Sequence, residues 1–164
     1  MVLLLVVLGA ATGAPAAELV GQVTRVSDGD TLRLRVGRRE VKIRLHGIDA
    51  PEAQQICRGA KGECYACGRE AQTALQRMVE GHAVRCRPTG GSSYKRKVAT
   101  CFAGGINLNQ AMVERGWAFA YRRYSTAYVK AEEAAKRAQR GLWSGAFVTP
   151  ESWRHRAERL PGCE

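Results

Sequence analysis

A mostly β domain of the α+β class is what this sequence predicts, and three observations carry the prediction. Residues 32–36 (Leu-Arg-Leu-Arg-Val) and 41–45 (Val-Lys-Ile-Arg-Leu) alternate apolar with charged side chains around a short Gly37-Arg38 turn. That period of two is the mark of half-buried strands joined in a hairpin. Residues 19–25, 83–87 and 98–103 supply three further strand-like runs. Helical spacing is confined to one segment after the third strand and to two near the C-terminus. Five strands with an intervening helix are the inventory of an OB-fold five-stranded barrel, here with about three helices.

Taken in order, residues 1–17 form an apolar run followed by small residues, which reads as a secretory signal with cleavage near Ala17. The run is short for a bilayer span, which needs roughly 20 apolar residues. It carries no Lys or Arg. The rest of the chain, 18–164, is expected to be one domain, secreted or periplasmic, and without stable membrane association.

The first strand, 19–25, leads into an Asp28-Gly29-Asp30 turn, and the hairpin follows. Ala50-Pro51 ends the third strand, because Pro lacks a ladder donor and pushes its predecessor toward extended backbone. Residues 54–68, rich in Gly and Cys and without period, read as a loop stapled by a disulfide. In 69–80, Ala71, Ala74, Leu75, Met78 and Val79 recur at three- and four-residue steps, and Gly81 follows, as for an amphipathic helix. The runs 83–87 and 98–103 flank a turn-rich basic connector, 88–97.

Asn107 or Asn109 is placed to cap a second helix running through Arg115, and Ser125 a third running to Arg140, with Gly116 and Gly141 closing them. The aromatic stretch 117–121 reads as core, and Trp143 and Trp153 as packing from the tail. There is no internal repeat and no low-complexity segment.

Lys plus Arg total 26 against 15 Asp plus Glu, a formal charge of +11, none of it in the leader. Such a field draws in polyanions, nucleic acid first among them. The six cysteines favour disulfides in an exported chain. Cys86 with Cys101, flanking two strand-like runs, is the first pair expected, and Cys57 with Cys67 the second. Zinc on the Cys64-Tyr65-Ala66-Cys67 spacing is the weaker reading, since no His lies close by.

The chemistry concentrates in 28–52. A hairpin brings its outer ends side by side, so Asp30 and Asp49 become neighbours. Crowded carboxylates raise each other's pKa unless a cation lies between them, and a hard divalent ion held by oxygens is the natural one.

Asp28-Gly29-Asp30-Thr31, then Arg44-Leu45, then Gly47-Ile48-Asp49-Ala50-Pro51-Glu52, then Tyr94-Lys95-Arg96 together resemble the staphylococcal nuclease (thermonuclease) family. The similarity continues through Leu108-Asn109 to Gly116 and from Tyr121 to Trp143, nearly all of the domain. The resemblance implies a barrel that cleaves DNA and RNA with Ca2+ and leaves 3′-phosphate ends, and we expect it to act as a monomer. It implies metal ligation by the Asp30 and Asp49 carboxylates and by the main-chain oxygen at Ala50, where the family often has Thr. Glu52 would order or deprotonate the attacking water, Arg44 and Arg96 would grip the scissile phosphate, and Tyr94 and Tyr121 would contact the terminal phosphate or sugar.

Chemistry supports those assignments. Phosphodiester cleavage needs an aligned nucleophile and positive charge where the transition state gathers negative charge. Planar guanidinium forks suit phosphoryl oxygens, and a carboxylate not consumed as a ligand can serve as base.

The chain departs from the family pattern at Ser92-Ser93-Tyr94-Lys95-Arg96, where many relatives place Asp and Gly. Lys95 strains the turn if its φ is positive, and its charge adds to the grip on a strand. The cysteine-bearing insert 57–67 is absent from the shortest relatives. The competing class is a non-catalytic module of the same fold that binds nucleic acid or protein. Retention of Asp30, Asp49 and Glu52 favours the enzyme. A basic protein binding anionic envelope polymers needs no acidic cluster and explains less.

Overall fold

The computed structural model describes residues 17–155 and 159–163. The expected leader, 1–17, lies outside the described residues except for Ala17. Among the described residues no helix is long and apolar enough to cross a membrane.

Three strands open the domain: β1 (Leu19–Asp28), β2 (Thr31–Val36) and β3 (Arg39–Leu45). They form an antiparallel meander, with Thr31 opposite Arg44 and Val36 opposite Arg39. The alternation read from the sequence is realised in burial: Leu32, Leu34, Ile43 and Leu45 face the core while Arg33, Arg35 and Lys42 face solvent. Register shifts in the β1–β2 ladder bend the first strand, as closure requires.

Next come the two-residue strands β4 (Ile48–Asp49), β5 (Cys57–Arg58) and β6 (Cys64–Tyr65), and then helix α1 (Cys67–Val79). Strands β7 (Val84–Ser93) and β8 (Arg96–Ala103) complete the barrel. β7 pairs with β1 and β8, and β8 runs parallel to β3, so the sheet closes on itself. The five-stranded barrel of an OB-fold, with its helix after the third strand, is the architecture present.

The C-terminal part adds β9 (Ile106–Asn107), α2 (Leu108–Glu114), β10 (Phe119–Ala120), α3 (Val129–Arg137), a 3-10 turn over Gly141–Ser144, and the short α4 (Pro150–Arg154). Leu75 of α1 and Leu108 and Met112 of α2 are fully buried and join the barrel residues in one core. Each such side chain contributes about 1.5–3 kcal/mol by burial. A smaller cluster of Cys57, Cys67 and Leu142, with Trp117, Phe119 and Phe147 against it, sits under the insert.

Three local expectations need correction, and the choice between Asn107 and Asn109 as a cap is decided. The connector 88–97 is mostly strand: β7 runs to Ser93 and β8 starts at Arg96, with a register shift between Pro88 and Ser92. Its Gly and Ser residues carry no strand signal, and pairing with β8 overrides their local preference. The helix expected from a Ser125 cap begins only at Val129 and ends at Arg137. Ser125 instead closes a turn, its N–H donating to the Tyr121 carbonyl and its hydroxyl accepting from Ala127. Asn107 caps α2 by accepting from Gln110, whereas Asn109 is buried and bridges Cys101, Ala99 and His46. The loop 54–68 contains the β5–β6 pair.

All six cysteines are paired: Cys57–Cys67, Cys86–Cys101 and Cys64–Cys163. The first two are the pairs the sequence suggested, and no thiolate remains free for zinc.

Candidate active site

The hairpin ladder sets the centre of the site. Thr31 pairs with Arg44, and the Leu45 N–H donates to the Asp30 carbonyl at 2.8 Å, so the end of the first turn lies beside the exit of β3. Beyond β3 the chain turns at Gly47 and forms β4, where Asp49 pairs with Phe119 of β10. Asp30 and Asp49 thus arrive on the same guanidinium. Arg44 Nη1 lies 2.5 Å from Asp30 Oδ1, and Arg44 Nη2 donates to Asp49 Oδ1 at 2.8 Å.

Asp30 is buried, and its Oδ2 accepts the Ala50 N–H at 2.8 Å while its Oδ1 accepts the Thr31 hydroxyl at 3.0 Å. Asp28 shapes the turn by accepting the Asp30 N–H. Burial pushes the Asp30 carboxyl well above the usual range; Arg44 opposes this, while Asp28 and Asp49 add to it. For Arg44, burial works against the charge, but Asp30 and Asp49 outweigh it and the guanidinium is held protonated.

Above this pair opens a cleft of about 700 Å³, lined among others by Arg44, Glu52, Tyr94, Arg96, Tyr121 and Arg154. Glu52 stands at one wall with its side chain 37 % exposed. Its N–H donates to the Oε1 of buried Gln55. Gly68 of α1 packs on the Glu52 carbonyl so closely that any side chain there would collide with it.

Arg96 rises from β8, the strand beside β3, and lines the same cleft. Its Nε and Nη2 donate to the carbonyl and hydroxyl of Ser93, and Nη1 lies 3.5 Å from Thr31 Oγ1. Tyr94 is exposed, with the Arg96 guanidinium 5.8 Å from its ring centroid. Tyr121 follows β10, donates its N–H to the Gly47 carbonyl, and stacks edge-on against Tyr124. Burial raises the pKa of its hydroxyl. Lys95 is exposed at the apex of the β7–β8 turn and is not among the residues lining the cleft.

The structure therefore brings together Asp30, Arg44, Asp49, Ala50 and Glu52, faces them with Arg96, Tyr94 and Tyr121, and leaves Lys95 at the margin. One residue of the site was missed in the sequence. Arg154 of α4 donates Nη1 and Nη2 to the two oxygens of Asp49, each at 3.0 Å, and Nη1 also to Glu52 Oε1 at 3.0 Å. Its signal was indirect: a pairing of the last cysteine with the insert would have brought the tail to Glu52.

A family model described as staphylococcal nuclease homologue matches residues 42–145. This chain belongs to that family. Similar proteins include one described as an uncharacterized endonuclease from Escherichia coli O157:H7, 37% identical over 85% of this chain and 88% of its own length. A micrococcal nuclease of Shigella flexneri is 32% identical over 84% of this chain and 82% of its own. The match to the family model ends before α4, so Arg154 lies beyond it.

In this staphylococcal nuclease homologue the side chains that could hold a metal offer hard oxygens. Among the described residues no three acidic, His or Cys side chains converge into a closed metal site. What converges is two carboxylates on the Arg44 guanidinium, one at each terminal nitrogen, a set that suits Ca2+ when waters or phosphate complete its shell. The residues present fit such an ion in donor type.

Proposed function

We propose that this homologue is a Ca2+-dependent endonuclease that hydrolyses phosphodiester bonds in DNA and RNA and leaves 3′-phosphate ends. The observation that carries the reading is the convergence of Asp30 and Asp49 on Arg44 beneath a cleft walled by Glu52 and Arg96. The family relation and the relatives named as nucleases support it.

Asp30, Asp49 and the Ala50 main-chain oxygen would hold Ca2+, which supplies charge neutralisation at the phosphate and a more acidic water. Arg44 and Arg96, from the adjacent strands β3 and β8, would reach a nucleic-acid strand in the cleft, and their forks suit two phosphoryl oxygens. Glu52, at the cleft wall and paired with Arg154, would take a proton from water once that contact opens. Tyr94 and Tyr121 present hydroxyls and ring faces to the sugar or terminal phosphate, and Lys95 adds charge at the rim. The net charge of +11 draws the polyanion in. Three disulfides suit an oxidising compartment, which supports a periplasmic or secreted location; we take the protein to act as a monomer.

The test is incubation of the oxidised protein with single- and double-stranded DNA and with RNA, in Ca2+ or in chelator, followed by end-group analysis. Fragments that appear only with Ca2+ and need phosphatase before 3′ extension are the expected result. Tight binding with intact substrate under every condition would leave a non-catalytic binding module.

A further inference from the structure

Arg154 answers to none of the roles above. It closes the five-residue α4, 105 residues from Asp49 in sequence, yet it takes both oxygens of that carboxylate. Asp49 Oδ1 accepts from Arg44 and Arg154, and Oδ2 accepts from Arg154. Of the roughly four acceptor positions of a carboxylate, three are filled. The same guanidinium reaches Glu52, so one cation bridges the second acid of the hairpin and the carboxylate proposed as base. Burial works against the charge on Arg154, but its bonds to Asp49 and Glu52 outweigh it and strengthen its hold on the proton.

The tail is built to deliver this side chain. Thr149 caps α4 by accepting from Ser152, with Pro150 in the first turn. Just before it, buried Gln55 donates Nε2 to the Val148 carbonyl at 2.7 Å while its Oε1 accepts the Glu52 N–H. A single amide thus ties the start of the tail to the Glu52 turn. The far end is tied by the Cys64–Cys163 disulfide and by Arg58, whose guanidinium donates to the Pro161 carbonyl. Arg58 also bridges to Ala146. The insert and the tail form one docked unit, and its payload at the cleft is Arg154.

We propose that Arg154 is a tethered counter-cation that ion-pairs Asp49 and Glu52 in the resting protein and competes with the divalent cation for Asp49. The inference rests on the reading of Asp49 as a metal ligand. With Arg154 on both Asp49 oxygens and Arg44 on one, a single acceptor position is left for Ca2+, and like charges at that spacing repel. Apparent cation affinity is then reduced by the fraction of molecules in which Arg154 has let go. Tethering keeps that fraction low, since the competitor is part of the same chain.

The test is calorimetric titration with Ca2+ alone, nucleic acid omitted, of the wild type and three variants. Arg154→Gln is expected to bind Ca2+ roughly tenfold more tightly. Arg154→Lys, which keeps the charge but cannot fork across two oxygens, should fall between. Arg123→Gln removes the same charge from an exposed position and should stay within about twofold of wild type. Equal or weaker binding by Arg154→Gln, or an equal gain in Arg123→Gln, overturns the competition while leaving the metal reading intact. Absence of Ca2+ binding in all four proteins overturns both.

Discussion

The Oδ2 atom of buried Asp30 accepts the N–H of Ala50 at 2.8 Å, fastening the first acidic turn to the residue that follows Asp49. The two clusters of the hairpin are thereby locked at a distance suited to sharing one cation. The arrangement has a stability consequence. Burial raises the Asp30 pKa above that of the unfolded chain, so folding is penalised increasingly as pH rises past the unfolded value. Asp30→Asn removes that penalty while keeping an acceptor for Ala50. It should melt higher than wild type at neutral pH, and its cleavage rate should fall by roughly a hundredfold or more. Thermal melts and rates on the same preparation check both halves.

The Tyr94-Lys95 turn stores strain. Both residues have positive φ, +49° and +61°, the backbone of a two-residue hairpin turn that favours Gly at its second position. Lys95→Gly should stabilise the fold by about 1 kcal/mol. Loss of the rim charge should raise KM, and more at low salt than at high. Denaturant midpoints and a salt series of cleavage rates read the two effects separately.

Glu132 orients the segment that carries Tyr121. Buried in α3, it accepts the Ala120 N–H at 3.0 Å and pairs with Arg122 and Lys136. Burial alone would raise its pKa, but these partners outweigh burial and hold it below the usual glutamate range. A depressed folded pKa means its contribution is present above the unfolded value and lost as pH falls through the folded one. Glu132→Ala, which strands the Ala120 N–H, should cost about 1–3 kcal/mol at neutral pH. Unfolding curves from pH 3 to 7 should converge for the two proteins at the acid end.

Reduction should weaken the fold. The Cys86–Cys101 link spans 15 residues and the Cys64–Cys163 link 99, separations for which loop closure contributes about 3 and 4.7 kcal/mol respectively. Replacing either pair with Ser should lower the melting temperature by several degrees, at roughly 2–4 °C per kcal/mol. Melts with and without reductant on the wild type give the combined effect.

The barrel was legible because its strands alternate locally: Leu32 and Leu34 against Arg33 and Arg35 state their own faces. Asp30 and Arg44 were legible for the same reason, since one hairpin register sets them side by side, whereas Asp49 is carried to Arg44 by the pairing of β4 with β10. The end of β7 was not, because Ser92 and Ser93 are strand only by pairing with Lys97 and Arg96 of β8, and Gly90 and Gly91 carry the register shift before them. Ser125 misled because a Ser before an apolar run caps helices and closes turns alike, and contacts to Tyr121 decide which. Arg154 left no local mark. Its place on Asp49 depends on Gln55, on Val148 and on a cysteine pair that closes a 99-residue separation, none of which a periodicity shows.

The most direct test of the account is the rate of DNA cleavage in Ca2+ by the wild type and by Asp49→Ala, measured at equal concentration on folded protein. Calcium-dependent fragmentation by the wild type, lost in the variant, is what the account predicts. Fragmentation that persists unchanged in Asp49→Ala would contradict it.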